Sequence, residues 1–180
     1  MTLDTIDYLE SRCKVAITSI PDKDRDKLID LIMTKEKIFV YGSGRSGLIG
    51  QLFAVRLVQI GFDVYFVGDM TTPIIKKDDL TILISNTGHT VSVVQTADIA
   101  RRIGSHVVSI TSSSSSKLAH ISNTGIILDI EEDLDSAELA PLGTIFEDSV
   151  LLFFDSLIPD LMKKMKVTEI DMRKNHAIWV

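Results

Sequence analysis

With 180 residues, 45% apolar and 24% charged, the chain can bury one sizeable core and has the balance of a globular domain. A formal charge of −6 with no dense Lys/Arg cluster excludes a broad phosphate-backbone footprint, so no nucleic-acid partner is expected and any anion must be held locally. A single cysteine, Cys13, excludes an intrachain disulfide and a thiolate zinc cluster. The acidic N-terminus and the lack of a stretch of about 18 uncharged apolar residues predict a cytoplasmic protein with no membrane partner.

Leu3, Ile6, Leu9, Cys13 and Ile17 have helical spacing and predict a helix from Thr2 to Ile20. Pro21-Asp22 separates it from a second helix, Asp22 to Thr34, with Leu28, Ile29, Ile32 and Met33 inward. Two helices before the first strand either cover a sheet edge or pack across a subunit boundary, and the pattern leaves both open.

The stretch from Lys37 to Gln51, KIFVYGSGRSGLIGQ, organises the rest of the chain. Ile38 to Gly42 reads as a buried strand, Gly42 to Gly47 as a glycine-rich turn, and Arg45 to Ile60 as an apolar helix stopped at Gly61. Strand, glycine turn and helix start in that order make an anion site. The turn exposes backbone N–H groups, and the Ser43 and Ser46 hydroxyls can add donors.

A strand over 63–68 comes next, then a loop over 69–77 and a strand from Leu80 to Ser85. The turn Asn86-Thr87-Gly88-His89-Thr90 opens a helix to about Ile103, which Gly104 stops. His106 to Thr111 is the next strand, Thr111 to Ser116 a hydroxyl-rich run, Lys117 to Ile121 a short helix, and Ile126 to Ile130 the closing strand. Strands that are continuous apolar runs, alternating with helices, predict an α/β fold: a three-layer αβα sandwich around a five-stranded parallel sheet of flavodoxin-like type. Ligands of such sheets sit beyond the carboxyl ends of the strands, where the polar turns at 42–46, 85–90 and 111–116 all fall.

Residues 131–138 read as an acidic, solvated loop. Pro141-Leu142-Gly143-Thr144 precedes a long apolar helix to about Lys164, with Pro159 kinking it or marking its last turns. Thr168 to Val180 reads as one more helix, and its ending Ala177-Ile178-Trp179-Val180 is apolar enough to pack on something. One domain, 1–180, is expected, with terminal helices at 1–35 and 142–180 flanking a core at 37–130.

Gly42, Gly44 and Gly47 also spell the dinucleotide motif G-x-G-x-x-G, with Asp69 as its acidic partner. Ser43, Arg45 and Ser46 crowd that turn, and Asp69 lies late. The second turn points elsewhere: Ser85, Thr87 and Thr90 carry three hydroxyls that can wrap one phosphate, against the simpler reading of helix capping. On the late helix Glu147 shares a stripe with Val150, Leu151, Phe154 and Ile158, so burial would raise its pKa towards that of a working base; Asp148 fits a helix-start carboxylate better.

Here the chain resembles the sugar isomerase (SIS) family of phosphosugar-binding domains. Ser85 to Thr90 looks like that family's Ser-x-Ser-Gly-x-Thr phosphate loop, and Gly44-Arg45-Ser46 like the Gly-x-Ser of its first loop. The likeness is closer to the 6-phospho-3-hexuloisomerase branch, through Gly44-Arg45-Ser46-Gly47, Gly61-Phe62, Thr72-Pro73, Pro141 to Glu147 and His176-Ala177. Thr87, Asn86 and His89 depart from the branch pattern beside the sugar site, as does Ile178-Trp179 at the end.

The resemblance implies interconversion of 3-hexulose 6-phosphate and fructose 6-phosphate through an enediol, with Glu147 as base and His176 lining its own or an adjoining subunit's site. The phosphate would be bound by Ser43, Gly44, Arg45, Ser46, Ser85, Asn86, Thr87 and Thr90. It also implies a homo-oligomer, a tetramer, with no metal and no cofactor. Isomerisation of another phosphosugar such as a pentulose 5-phosphate, or a non-catalytic phosphosugar-sensing role, remains open at this point. His89, His106 and His120 carry no such implication. Ser112 is a candidate ligand residue by its place at a strand end.

Overall fold

A computed structural model describes residues 2–131 and 133–176. Helices α1 (Thr2–Thr18) and α2 (Asp22–Thr34) precede β1 (Ile38–Gly42), α3 (Arg45–Ile60) and β2 (Val64–Phe66). A connection without a helix leads to β3 (Leu80–Ile84), followed by α4 (Val91–Ile103), β4 (His106–Thr111), α5 (Lys117–Ile121) and β5 (Thr124–Ile127). After α6 (Ser136–Leu139) and a 3-10 turn (Pro141–Gly143) come α7 (Thr144–Met165) and α8 (Glu169–Lys174).

All pairings are parallel and the five strands lie in the order β2-β1-β3-β4-β5. The chain steps outward from β1 to β2, then returns to place β3 on the other side of β1. That reversal leaves a crevice between the β1 and β3 ends, where doubly wound sheets bind ligands. Gly42 is in register with Ile84, so the loops leaving the two strands start level.

Alternation along the strands divides the core. Val40, Ile82 and Ile84 point to one face, under α2, α3 and α7; Leu83 and Val107 point to the other, under Val93, Ala97 and Ala100 of α4 and Leu118 of α5. On the first face the rings of Phe53 in α3 and Phe154 in α7 stack with centroids 3.9 Å apart and planes 6° from parallel. That contact locks two helices whose first turns both reach the ligand edge.

Several boundaries differ from expectation. β2 is shorter than predicted, and β5 runs from Thr124 to Ile127, two residues earlier at its start and three earlier at its end than predicted, because edge strands are only half buried and apolar content misplaces their ends. The acidic stretch is solvent-exposed over 133–138 as expected, apart from half-buried Ser136, but it is not free: α6 forms there, the Tyr8 hydroxyl donates to Asp133 Oδ1 at 2.7 Å, and Arg12 donates to the Glu131 carbonyl. On α1 Cys13 is buried as its spacing implied, with Ala16 beside it, but Ile6 is exposed. α7 ends at Met165, as expected within a residue, with Pro159 inside its last two turns. α8 is capped reciprocally by Thr168 and Asp171 and stops at Lys174; the apolar ending expected at 177–180 lies outside the described residues.

Candidate functional site

The β1–α3 corner is built by close approach. A side-chain carbon on Gly47 would lie 2.6 Å from the Gly42 carbonyl oxygen, so only glycine lets the first turn of α3 close onto the strand end. Gly44 is the N-cap and no side chain caps the helix. The Gly47 N–H already donates to the Gly44 carbonyl at 3.0 Å, which leaves the Arg45 and Ser46 N–H groups available to an anion. Ser43, Gly44 and Arg45 are exposed at this corner, while Ser46 is buried and turns inward.

The β3–α4 corner repeats the arrangement with hydroxyls. Thr90 is the N-cap of α4, but its side chain makes no capping bond. Its Oγ1 lies 3.0 Å from Ser85 Oγ, which also accepts from the Gly88 N–H at 3.2 Å. Thr87 is exposed, with Oγ1 accepting from the His89 N–H at 3.3 Å. Simple capping by Thr90 is thus not what its hydroxyl does; Ser85 and Thr90 form a pair at the helix start.

Glu147 enters from the first turn of α7 and joins the two halves. Ser46 Oγ donates to its Oε1 at 3.3 Å, and Arg45 Nε approaches Oε2 to 3.1 Å. The guanidinium N–H is not aimed at that oxygen, so the contact is ionic and buried Oε2 is left without a hydrogen-bond donor. Burial pushes the Glu147 carboxyl above its ordinary range, and Arg45 and Ser46 pull it back part of the way. Asp148 is half buried and raised by the same desolvation, with Arg45 again opposing it.

Beside this carboxylate a cavity of about 430 Å³ is walled by Asn86, Ser112, Ala140, Pro141, Gly143 and Phe146 among others. The serine run is built into the fold: Ser112 Oγ meets the Asn86 side chain at 2.8 Å, and Ser116 caps α5. The sequence marked Ser112 only by its place at a strand end, and it held no sign of Gly143 as a wall of the site. That wall depends on how α7 folds back onto the β3 corner.

His176 is placed elsewhere in its own protomer. With Arg56, Gln59, Met162 and Met172 it lines a cavity of about 520 Å³ at the C-terminal end of α3. A helix rises about 1.5 Å per residue, so Ser46 and Gln59 are roughly 20 Å apart along α3. Beside this cavity Arg56 forms an exposed ion pair with Asp155 at 3.7 Å. Among the described residues no three of His, Cys, Asp and Glu are grouped to hold a metal ion, and no helix is long and apolar enough to cross a membrane.

Residues 31–145 match the family model described as SIS domain. The chain is 40% identical over 152 residues to the 3-hexulose-6-phosphate isomerase of Methanocaldococcus jannaschii, covering 84% of this chain and 82% of that protein. It is 33% identical to the 3-hexulose-6-phosphate isomerase of Bacillus subtilis, with 88% of each covered. Among solved structures it superposes on a hypothetical protein from Methanococcus jannaschii, whose crystal structure is described as inferring a function of 3-hexulose-6-phosphate isomerase. The TM-score is 0.88 with 34% identity, over 98% of this chain and 99% of the other.

Proposed function

This chain belongs to the SIS-domain family, and we propose that it is a sugar-phosphate isomerase interconverting 3-hexulose 6-phosphate and fructose 6-phosphate. The observation that carries the reading is the position of Glu147: a buried carboxylate with a raised pKa, held against the phosphate-type corner by Arg45 and Ser46. The activity named for the relatives supplies the substrate class.

In this reading the phosphate lies on the N–H groups and hydroxyls of the two corners, with Ser43, Gly44, Arg45, Ser46, Ser85, Asn86, Thr87 and Thr90 around it. Binding so far from the reacting carbons positions the chain of the sugar. Glu147 takes the proton from C2 of the 3-keto sugar and returns it at C3, so one carboxylate serves both transfers. Arg45 is half exposed and able to turn from Glu147 to the phosphate, which would leave the carboxylate more basic in the loaded site.

His176 is read as acting in the site of an adjoining subunit, since in its own protomer it lies at the far end of α3. The outward face of α3 supports an assembly: Leu48, Leu52 and Val55, with Leu152 on α7, each expose half or more of their surface. A homotetramer in the cytoplasm, formed of single 1–180 domains whose terminal helices pack onto α3 and each other, completes the reading.

Ketose phosphates in deuterated water test it. Fructose 6-phosphate is expected to gain deuterium at C3 and to yield the 3-keto isomer, while ribulose 5-phosphate stays unlabelled. Exchange into the pentulose alone would make the enzyme a different isomerase, and binding without any exchange would make it a sensor.

A further inference from the structure

The hydrogen bonds around Asn86 fix which way its carboxamide points. The Asn86 backbone carbonyl already accepts from the Ser112 N–H at 3.0 Å and from Thr111 Oγ1 at 2.8 Å, filling both lone pairs. The single Ser112 hydroxyl proton, 2.9 Å from that carbonyl and 2.8 Å from Oδ1, is therefore left for Oδ1. With Oδ1 engaged, Nδ2 must face the other way.

That other way is the space over Gly143. The point where a side-chain carbon on Gly143 would sit is 3.0 Å from Asn86 Nδ2 and 3.9 Å from Glu147 Oε2. Turning the amide over would set Oδ1 towards the buried Oε2, two acceptors across one gap. Among the described residues no acceptor meets Nδ2, and no donor meets Oε2. The gap opens into the 430 Å³ cavity that Asn86, Ser112 and Gly143 all line. An unpaired N–H donor and a buried carboxylate oxygen thus face one small space, kept open by a glycine.

We propose that Asn86 is a catalytic hydrogen-bond donor to the charged oxygen of the enediolate, held in that orientation by Ser112 as a positioning residue. The proposal rests on the isomerase reading above and gives the Asn86 side chain to the enediolate, leaving the phosphate contact of this residue to its backbone N–H. When Glu147 removes the C2 proton, the C–H pair forms the C2–C3 double bond and the carbonyl π pair moves onto O3, where Nδ2–H meets the new charge. The O2 proton then passes to O3, Glu147 returns its proton to C3, and the O2 pair becomes the new carbonyl. A donor aimed where charge develops is worth about 100-fold or more in kcat.

Two measurements test this on the full chain. Asn86→Asp and Asn86→Ala are each expected to lose about 100-fold in kcat with KM changed less than about threefold. Ser112→Ala should lose about 10-fold in kcat, and Ser112→Thr, which keeps the hydroxyl, should recover most of it. The second measurement needs no turnover: 4-phosphoerythronate, whose carboxylate imitates the enediolate oxygens, against erythritol 4-phosphate, which has the phosphate alone.

Wild-type protein should prefer the acid, and both Asn86 variants should lose that preference while still binding the alditol phosphate, which also reports that they fold. Undiminished kcat and an unchanged preference in both variants would overturn the donor while leaving the isomerase reading intact. A wild-type protein that binds the acid through Asn86 but turns over no hexulose phosphate would end the isomerase reading and, with it, the catalytic role of Asn86, leaving a donor in a binding site.

Discussion

Ser46 Oγ stands 3.3 Å from Oε1 of Glu147, so a hydroxyl in the first turn of α3 donates to a carboxylate 101 residues later in the first turn of α7. The bond favours the charged carboxylate, as does Arg45 at 3.1 Å, and both oppose the desolvation that raises its pKa. Removing either should therefore raise that pKa further. For a base, the acid limb of kcat/KM then moves to higher pH: Ser46→Ala is expected to lose more activity at pH 6 than at pH 8. Arg45→Met should show the same displacement together with KM raised about 10-fold or more through the lost phosphate partner. An acid limb that stays in place in both variants would contradict the assignment of Glu147 as the titrating base.

The same carboxylate has a consequence for stability. Its pKa is higher in the folded protein than in the unfolded chain, so the stability it contributes is complete below the unfolded value of about 4.3 and is lost as pH rises through the folded one. Glu147→Gln carries no charge to desolvate. Urea unfolding at several pH values should find this variant more stable than wild type at pH 8 and no more stable at pH 4.

Gly47→Ala probes the anion corner through the backbone. The added carbon meets the Gly42 carbonyl oxygen at 2.6 Å, and neither backbone group can turn aside, so the first turn of α3 must shift. Overpacking of this kind costs about 1–3 kcal/mol. The thermal midpoint should fall, and affinity for erythritol 4-phosphate should fall about 10-fold, whereas Gly125→Ala, away from the corner, should leave that affinity unchanged.

Leu52→Glu places a charge in the middle of the exposed apolar stripe on α3. Sedimentation at micromolar concentration is expected to show wild-type protein as an oligomer and the variant as a smaller species with an unchanged far-ultraviolet spectrum. Activity should fall with the loss of assembly if His176 completes a neighbour's site.

The parallel sheet was legible because its central strands are buried on both faces: every residue of β3 is buried, and Leu80 to Ile84 is apolar but for Thr81. The glycine turn after β1 and the hydroxyls after β3 were legible because the residues that serve each corner are adjacent in sequence. The ends of the edge strands were misread, β2 as too long and β5 as too late in the chain, since both bury only part of their surface and their ends are set by pairing. The links of α6 to α1 through Tyr8 and Asp133, and of Asn86 to Ser112 and Gly143, join distant segments without any periodic signal. Glu147 stood out by its apolar stripe; what Arg45 and Ser46 do to its charge emerges only when α3 and α7 are packed.

Deuterium uptake at C3 of fructose 6-phosphate in Glu147→Gln, measured beside the affinity for the same sugar, separates this carboxylate from every other candidate base. Uptake at least about 1,000-fold slower than wild type, with affinity within about threefold, is the result predicted for a base that touches only the reacting proton. Uptake at the wild-type rate would show that another group moves the proton.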